Sequence, residues 1–496
     1  MTIIKIHTVF ISKPRWEVGW PYLGFDNEEF SKKTMKLLKK RFKDIEFCGG
    51  DIITKYENNQ MKIIKDKVKK SDGLILYTIG HYGDPGIVNA GVELIQLNIP
   101  TILANYIYGG DHTFIKIYDK IKEGKYRCLP ISSSKTEELL KAVDILRRIL
   151  RMKNKKILVY TLDKEVKPKL EDLMNLIESG LEMLETKERE IIINNIVTFL
   201  QSTGLYIDLK GIDQAHSWRR DEELYRKNLK DIFGIHINKR NPNEILQYYN
   251  KISNEEAERI ASKWIKNAKS VRYPRKAIIK SAKLLLALKK IMQEQKTDTI
   301  ALDCGTLMLS GKLPAWPCLA FFQLWNEGLN GIPESDLDSG VTLLLIRYLF
   351  DRAGYISNQS IDIEANQVTY MHCCSPSKLY GDDKPSQKYE IVGHGESHGL
   401  GPCPLVEYPK EEYITTIKIS ILKRKIAIRT GKISGMKIDN KGCVNKVLVN
   451  TNTHRILENT DWDTFGWHRV SVLGNWRKEV IAAAKLLGLE IIEEDK

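Results

Sequence analysis

Two different hydrophobic rhythms divide this chain. Up to about residue 154, short apolar runs alternate with stretches whose apolar positions recur every three to four residues. The runs Ile3–Ile11, Asp44–Cys48, Gly73–Ile79 and Thr101–Asn105 predict strands. The stretches Asn27–Phe42, Asn59–Lys69, Ile87–Leu97, Thr113–Lys122 and Ser134–Arg151 predict amphipathic helices. Buried strands between such helices imply a parallel sheet covered on both faces. A second α/β unit starts at Lys156-Ile-Leu-Val-Tyr160. Its predicted helices are Pro168–Leu184, Thr186–Ser202, Asp221–Ile232, Glu255–Ala268, Pro274–Gln295, Cys318–Leu329 and Ser339–Phe350, with a strand at Thr299–Asp303. From about Asn366 the period falls to two. Gln367–His372, Tyr389–Val392, Tyr413–Leu422, Lys425–Thr430 and Val444–Val449 read as strands of an antiparallel, barrel-like region, and a last helix covers Lys478–Leu487. The expected divisions are residues 1–154, 155–353 and 354–496.

Composition narrows the class. A chain of 496 residues exceeds what one core supports. No apolar run is long enough to span a bilayer, and Met1-Thr-Ile-Ile-Lys-Ile-His7 does not read as a secretory signal, so the expected location is the cytoplasm. The net charge of +14 comes largely from lysines on helix faces such as Lys32, Lys36 and Lys39. With no nucleic-acid motif beside it, this charge reads as solvated surface, and nucleic-acid binding remains only the third reading. Eight cysteines contain no C-x-x-C pair, which disfavours a zinc ribbon or a thioredoxin-like site and leaves buried thiols as the default. Two loops, Gly80-His-Tyr-Gly-Asp-Pro-Gly86 and Tyr108-Gly-Gly-Asp-His112, follow predicted strands, where open α/β sheets bind ligands. No G-x-G-x-x-G opens a helix, so a dinucleotide site is disfavoured.

Candidate chemistry gathers late in the chain. Glu334 lies in Gly331-Ile-Pro-Glu-Ser-Asp336 and His372 in Met371-His-Cys-Cys374. His394 and Glu396 lie in the glycine-rich Gly393-His-Gly-Glu-Ser-His398, and His468 closes Gly466-Trp-His468. Carboxylate oxygen together with imidazole suits a Mn²⁺- or Mg²⁺-like ion, which polarises a carbonyl and its neighbouring hydroxyl. Asp336 reads as a helix N-cap or as a partner to a ligand. Trp316, beside Pro317, is a core residue or a platform for a sugar face.

These residues resemble the L-fucose isomerase and L-arabinose isomerase superfamily. The resemblance runs from Thr299-Ile-Ala-Leu-Asp-Cys304 through Pro317-Cys-Leu-Ala320, Glu334-Ser-Asp336 and His372-Cys373. It continues to Gly466-Trp-His468, Leu473-Gly474 and Leu486-Leu-Gly-Leu489, and the Ser71-Asp-Gly-Leu-Ile-Leu76 strand matches more loosely. It implies an α/β fold of two Rossmann-like parallel-sheet domains followed by an antiparallel β-barrel-containing C-terminal domain. It also implies an aldose–ketose isomerase of carbohydrate metabolism that acts through an ene-diol with Mn²⁺ or a similar divalent cation (Mg²⁺, Co²⁺). A homo-oligomer, trimer or hexamer, is implied as well, with each site completed by a neighbour's N-terminal domain. Glu334 matches the first acidic ligand and His468 the late histidine, while His372, His394, Glu396 and Trp316 are expected at the substrate. At the second acidic position the chain has Asn358, which ligates through its amide oxygen but cannot act as a base. The catalytic carboxylates are then Glu334 and, from a shifted loop, Asp362. Loss of that acid supports the alternative of a catalytically altered, sugar-binding member of the same fold.

Overall fold

In a computed structural model of the protein, residues 3–81, 84–162, 217–395, 401–439 and 441–496 are described. The predicted helices Pro168–Leu184 and Thr186–Ser202 and the site candidate Glu396 lie outside them. The chain divides into two compact units. One is Met1–Lys153 with Lys478–Ile491, and the other is Asn154–Arg477 with Ile492–Lys496. The barrel and the second α/β region, expected as separate domains, both fall in the second unit. Among the described residues no helix is long and apolar enough to cross a membrane.

The first unit is built on β1 (Ile4–Ile11), β2 (Ile45–Ile53), β3 (Gly73–Thr78), β4 (Thr101–Asn105) and β5 (Cys128–Ser132). They form one parallel sheet in the order β2-β1-β3-β4-β5, a doubly wound order whose switch point lies between β1 and β3. β3 and β4 are almost wholly buried, as a sheet covered on both faces requires. Helices Asn27–Arg41 and Pro85–Ile95 start at aspartate caps, Asp26 accepting from Glu29 N and Asp84 from Gly86 N. Gly110 shows why the loop after β4 needs glycine: a Cβ there would lie 2.1 Å from Thr78 O. The two loops singled out in the sequence bring the His81 and His112 rings to 4.9 Å. From Lys478 onward the last helix, Arg477–Leu487, belongs to this unit. It buries Val480, Ala483, Ala484, Leu486 and Leu487, and Arg127 Nε donates to Leu486 O at 3.2 Å.

The second unit holds β6 (Lys156–Tyr160), β7 (His236–Arg240), β8 (Thr299–Leu302) and β9 (Asn330–Ile332), a parallel sheet in the order β7-β6-β8-β9. The rest is antiparallel: β10 (Tyr355–Asp362), β11 (Gln367–His372), β12 (Tyr389–Gly393), β13 (Pro402–Val406), β14 (Tyr413–Ser420), β15 (Lys425–Met436), β16 (Asn445–Asn450) and β17 (Arg469–Leu473). Six of these close a barrel in the order β14-β17-β10-β11-β16-β15, with β15 pairing back to β14. β12 and β13 form a separate hairpin. The barrel therefore begins earlier than the period-two pattern suggested. Asn358 is not on a segment before the first strand; it sits in β10 opposite Met371. The alternation is hidden there because Tyr355–Asn358 are all buried.

Arg429 of β15 and Arg469 of β17 are fully buried in this unit with Glu494. Glu494 lies 2.8 Å from Arg469 and 3.3 Å from Arg429. Burial alone would raise the Glu494 carboxyl, but the two guanidiniums outweigh it and hold it below the usual range. A carboxyl depressed by folding adds stability above its unfolded pKa and loses it as pH falls through the carboxylate range. Glu494→Gln leaves two buried cations short of their anion. It is expected to lower stability at neutral pH by about 3–5 kcal/mol and to flatten the acid limb of the stability–pH curve, as read by urea unfolding from pH 7 downward. An unchanged midpoint at pH 7 would contradict this account.

Candidate functional site

The site is built around a strained turn. β9 ends at Ile332, and Pro333–Ser335 make one 3₁₀ turn before helix Leu337–Phe350. Glu334 (φ 56°) and Ser335 (φ 51°) are both left-handed, which costs of the order of 1–3 kcal/mol per non-glycine residue and persists only where surroundings enforce it. Two indoles supply that enforcement. Trp325 Nε1 donates to Gly331 O at 2.9 Å and Trp218 Nε1 to Ser335 O at 2.8 Å. Their effect is to turn the Glu334 side chain, 43% exposed, toward a cleft. The cap of the following helix is Asp336, which accepts from Ser339 N.

The cleft has a volume of about 330 Å³, within the range of small-molecule sites. Glu334 and His468 line it, and Glu334 also approaches the buried His372. Glu334 Oε1 lies 3.6 Å from His372 Nε2 and its Oε2 lies 3.5 Å from His468 Nε2. One ligand atom from each of the three residues falls within 4.8 Å of the others. These separations are too long for hydrogen bonds. They lie close to the roughly 3.4 Å between two donors that each stand about 2.1 Å from one ion at a tetrahedral angle. Two buried atoms support that fit. His372 Nε2 and Asn358 Oδ1 make no hydrogen bond, although buried polar atoms are nearly always satisfied, and Asn358 lines the same cleft.

Neighbouring groups aim both rings. His468 Nδ1 donates to Asp336 Oδ2 at 2.9 Å, which directs Nε2 toward Glu334. The same Asp336 oxygen pairs with the buried Lys418 of β14 at 2.7 Å and accepts from Ser339 Oγ at 2.6 Å. His372 Nδ1 lies 3.2 Å from Cys374 Sγ. Burial lowers the His372 imidazole's pKa, but the Glu334 carboxylate more than offsets this and the net shift is upward. Asp338 completes the polar floor, accepting from Tyr225 OH at 3.0 Å.

Glu334, Asn358, His372 and His468 thus share one locality, His372 standing among the candidate ligands rather than only at the substrate. Asp362 does not join them. It ends β10 in solvent, where it accepts from Ala365 N at 3.0 Å, four residues or about 13 Å of strand from Asn358. The shifted-loop reading fails because this segment is a regular strand. Trp316 and His394 are placed against each other, ring centroids 4.8 Å apart, beside a group of thiols and not on the lining of the cleft. The aromatic residues of the cleft are Trp462, Phe465 and Trp467, of which the two tryptophans are about half exposed. Trp467, immediately before His468, was the sequence signal for them. Lys418 was missed because a lysine within a predicted strand reads as a solvent-facing position. No protein-family model matches this chain, and no curated protein is significantly similar to it.

Asp336→Asn is expected to destabilise the fold by about 3–5 kcal/mol, since the Lys418 ammonium stays buried. Urea unfolding measures the loss, and an unchanged midpoint would show that Asp336 does not compensate Lys418.

Proposed function

We propose that this chain is a divalent-metal-dependent isomerase that interconverts the aldose and ketose forms of a sugar, on the Rossmann-like and barrel plan of the L-fucose and L-arabinose isomerases. The observation that carries the reading is the Glu334 carboxylate, open to a sugar-sized cleft and at 3.5–3.6 Å from two imidazole nitrogens. Glu334, His372 and His468 would hold the ion, with Asn358 Oδ1 as a neutral oxygen donor. Two imidazoles favour Mn²⁺ or Co²⁺ over Mg²⁺. The bound ion supplies Lewis-acid polarisation of the sugar carbonyl and its neighbouring hydroxyl.

The residues of the chain divide the remaining work. Glu334 removes the proton from C2 of an open-chain aldose as O1 gains one from water, giving an ene-diol, and returns it to C1 as the O2 hydroxyl gives its proton back to water. Asp336 and Lys418 hold His468 in one orientation. Trp462 and Trp467 offer flat faces for the sugar's C–H surface. The chain is expected to work in the cytoplasm as a homo-oligomer. Asn358 is the specific observation favouring the second reading, a sugar-binding member without turnover, since a neutral amide lowers the site's negative charge.

With Mn²⁺ supplied in D₂O, aldopentoses and 6-deoxyhexoses are expected to acquire deuterium at C1 or C2, followed by NMR. Glu334→Gln should cut the exchange by about 10²–10⁴-fold, the usual contribution of a general base, with circular dichroism unchanged. Asn358→Asp should tighten Mn²⁺ binding and speed exchange, because an added anion acts strongly in a cleft of low dielectric. If sugars bind without exchanging a proton, the sugar-binding reading replaces the isomerase; if none binds or exchanges, both readings fall.

A further inference from the structure

A second group of donors lies beside the cleft and differs in chemical character. Cys318 opens helix Cys318–Asn326, Cys373 follows β11, His394 follows β12, and Cys403 lies in β13. All four are buried. Cys318 Sγ, Cys403 Sγ and a ring nitrogen of His394 lie within 4.8 Å of one another, and Cys373 Sγ lies 3.6 Å from His394 Nδ1. All of these cysteines are free thiols.

Ordinary core packing does not account for this. A buried cysteine in a core behaves as a small apolar side chain among other apolar side chains. Here three sulfurs surround one imidazole, brought from four separate segments. For a tetrahedral zinc site with Zn–S near 2.3 Å and Zn–N near 2.05 Å, the S···N separation is about 3.6 Å and the S···S separation about 3.8 Å. The Cys373–His394 distance matches the first value. From three thiols and one imidazole, we propose that Cys318, Cys373, Cys403 and His394 form a closed structural site for Zn²⁺.

Three thiolate sulfurs select a soft, tetrahedral ion over the Mn²⁺-like ion suited to Glu334 and two imidazoles. The ion takes the place of three thiol protons, released to solvent on binding. Its position fits a structural role. It joins the β12–β13 hairpin, which is outside the barrel sheet, to the end of β11 and to the start of helix Cys318–Asn326. His372 immediately precedes Cys373, so the same ion would fix the backbone that carries a ligand of the cleft. The inference stands whether or not the cleft isomerises sugars.

The test uses the full chain carrying Glu334→Gln, so that the cleft contributes little to the metal count. Purified with reductant and dialysed against a weak chelator, it is expected to retain about one zinc per chain by elemental mass spectrometry. Adding Cys318→Ser or Cys403→Ser should reduce this to background. Should either serine variant fail to fold, Co²⁺ exchanged into the Glu334→Gln chain decides, since a sulfur-to-cobalt charge-transfer band in the near ultraviolet reports thiolate ligation directly. Absence of that band, undiminished zinc in the folded serine variants, or a Cys318–Cys403 disulfide that persists through purification with reductant would each overturn the site.

Discussion

The second unit turns on a single carboxylate. Asp336 Oδ1 caps helix Leu337–Phe350, while Oδ2 takes the His468 ring proton, the Lys418 ammonium and the Ser339 hydroxyl. Through it the turn after β9 is tied to β14 and to the start of β17, two neighbouring barrel strands. An anion buried to this degree is tolerable only when fully compensated. A cap, a cation and two further donors provide that compensation. The arrangement makes the geometry of the cleft a consequence of folding, since His468 cannot leave its position without exposing Asp336 and Lys418 to an unpaired burial.

The strain at Glu334 depends on the same anchoring. A left-handed Glu334 followed by a left-handed Ser335 would relax if the turn were free. It is held at both ends, by Trp325 at Gly331 O and Trp218 at Ser335 O, and is followed at once by the capped helix. Gly331 allows the close approach of Phe321, whose ring would stand 2.1 Å from any Cβ there. The result is a carboxylate presented from a rigid turn, one surface facing the cleft and the other facing two histidines. A base that must meet a C–H proton benefits from such fixed placement.

How far the sequence revealed this depended on whether the signal was local. The alternation of Gly73–Ile79, Ile87–Leu97 and Thr101–Asn105 read through directly, because each element is buried according to its own period. β10 and β17 were not legible as barrel strands: Tyr355–Asn358 and Arg469–Leu473 are buried on both faces, so their pattern lacks a period of two. Glu334 and His468 were paired by resemblance, not by spacing, and no periodicity could have joined positions so distant. The thiol group was missed for the same reason. Cys318, Cys373 and Cys403 belong to different elements and share no short motif, so the usual ligand spacing for zinc never arises. Trp316 and His394 were each expected at the substrate, and they pack against one another away from the lining of the cleft; a glycine-rich loop says only that something approaches closely.

The run Met371-His-Cys-Cys374 shows how one strand end can serve two chemistries. β11 ends at His372 and the chain bends at Cys373. His372 faces Glu334 and His468, Cys373 faces His394, and Cys374 Sγ lies against His372 Nδ1. The bend therefore places an oxygen-and-imidazole set and a thiol set next to each other on one stretch of backbone. Ions differ in softness by enough for each set to prefer its own, and a soft ion held by the thiol set would draw off thiolate sulfur that could otherwise compete for the ion in the cleft. On this view the cysteines and the Glu334 cleft belong together physically. The first would keep the end of β11 rigid and its sulfur occupied, and the second needs an imidazole that does not move.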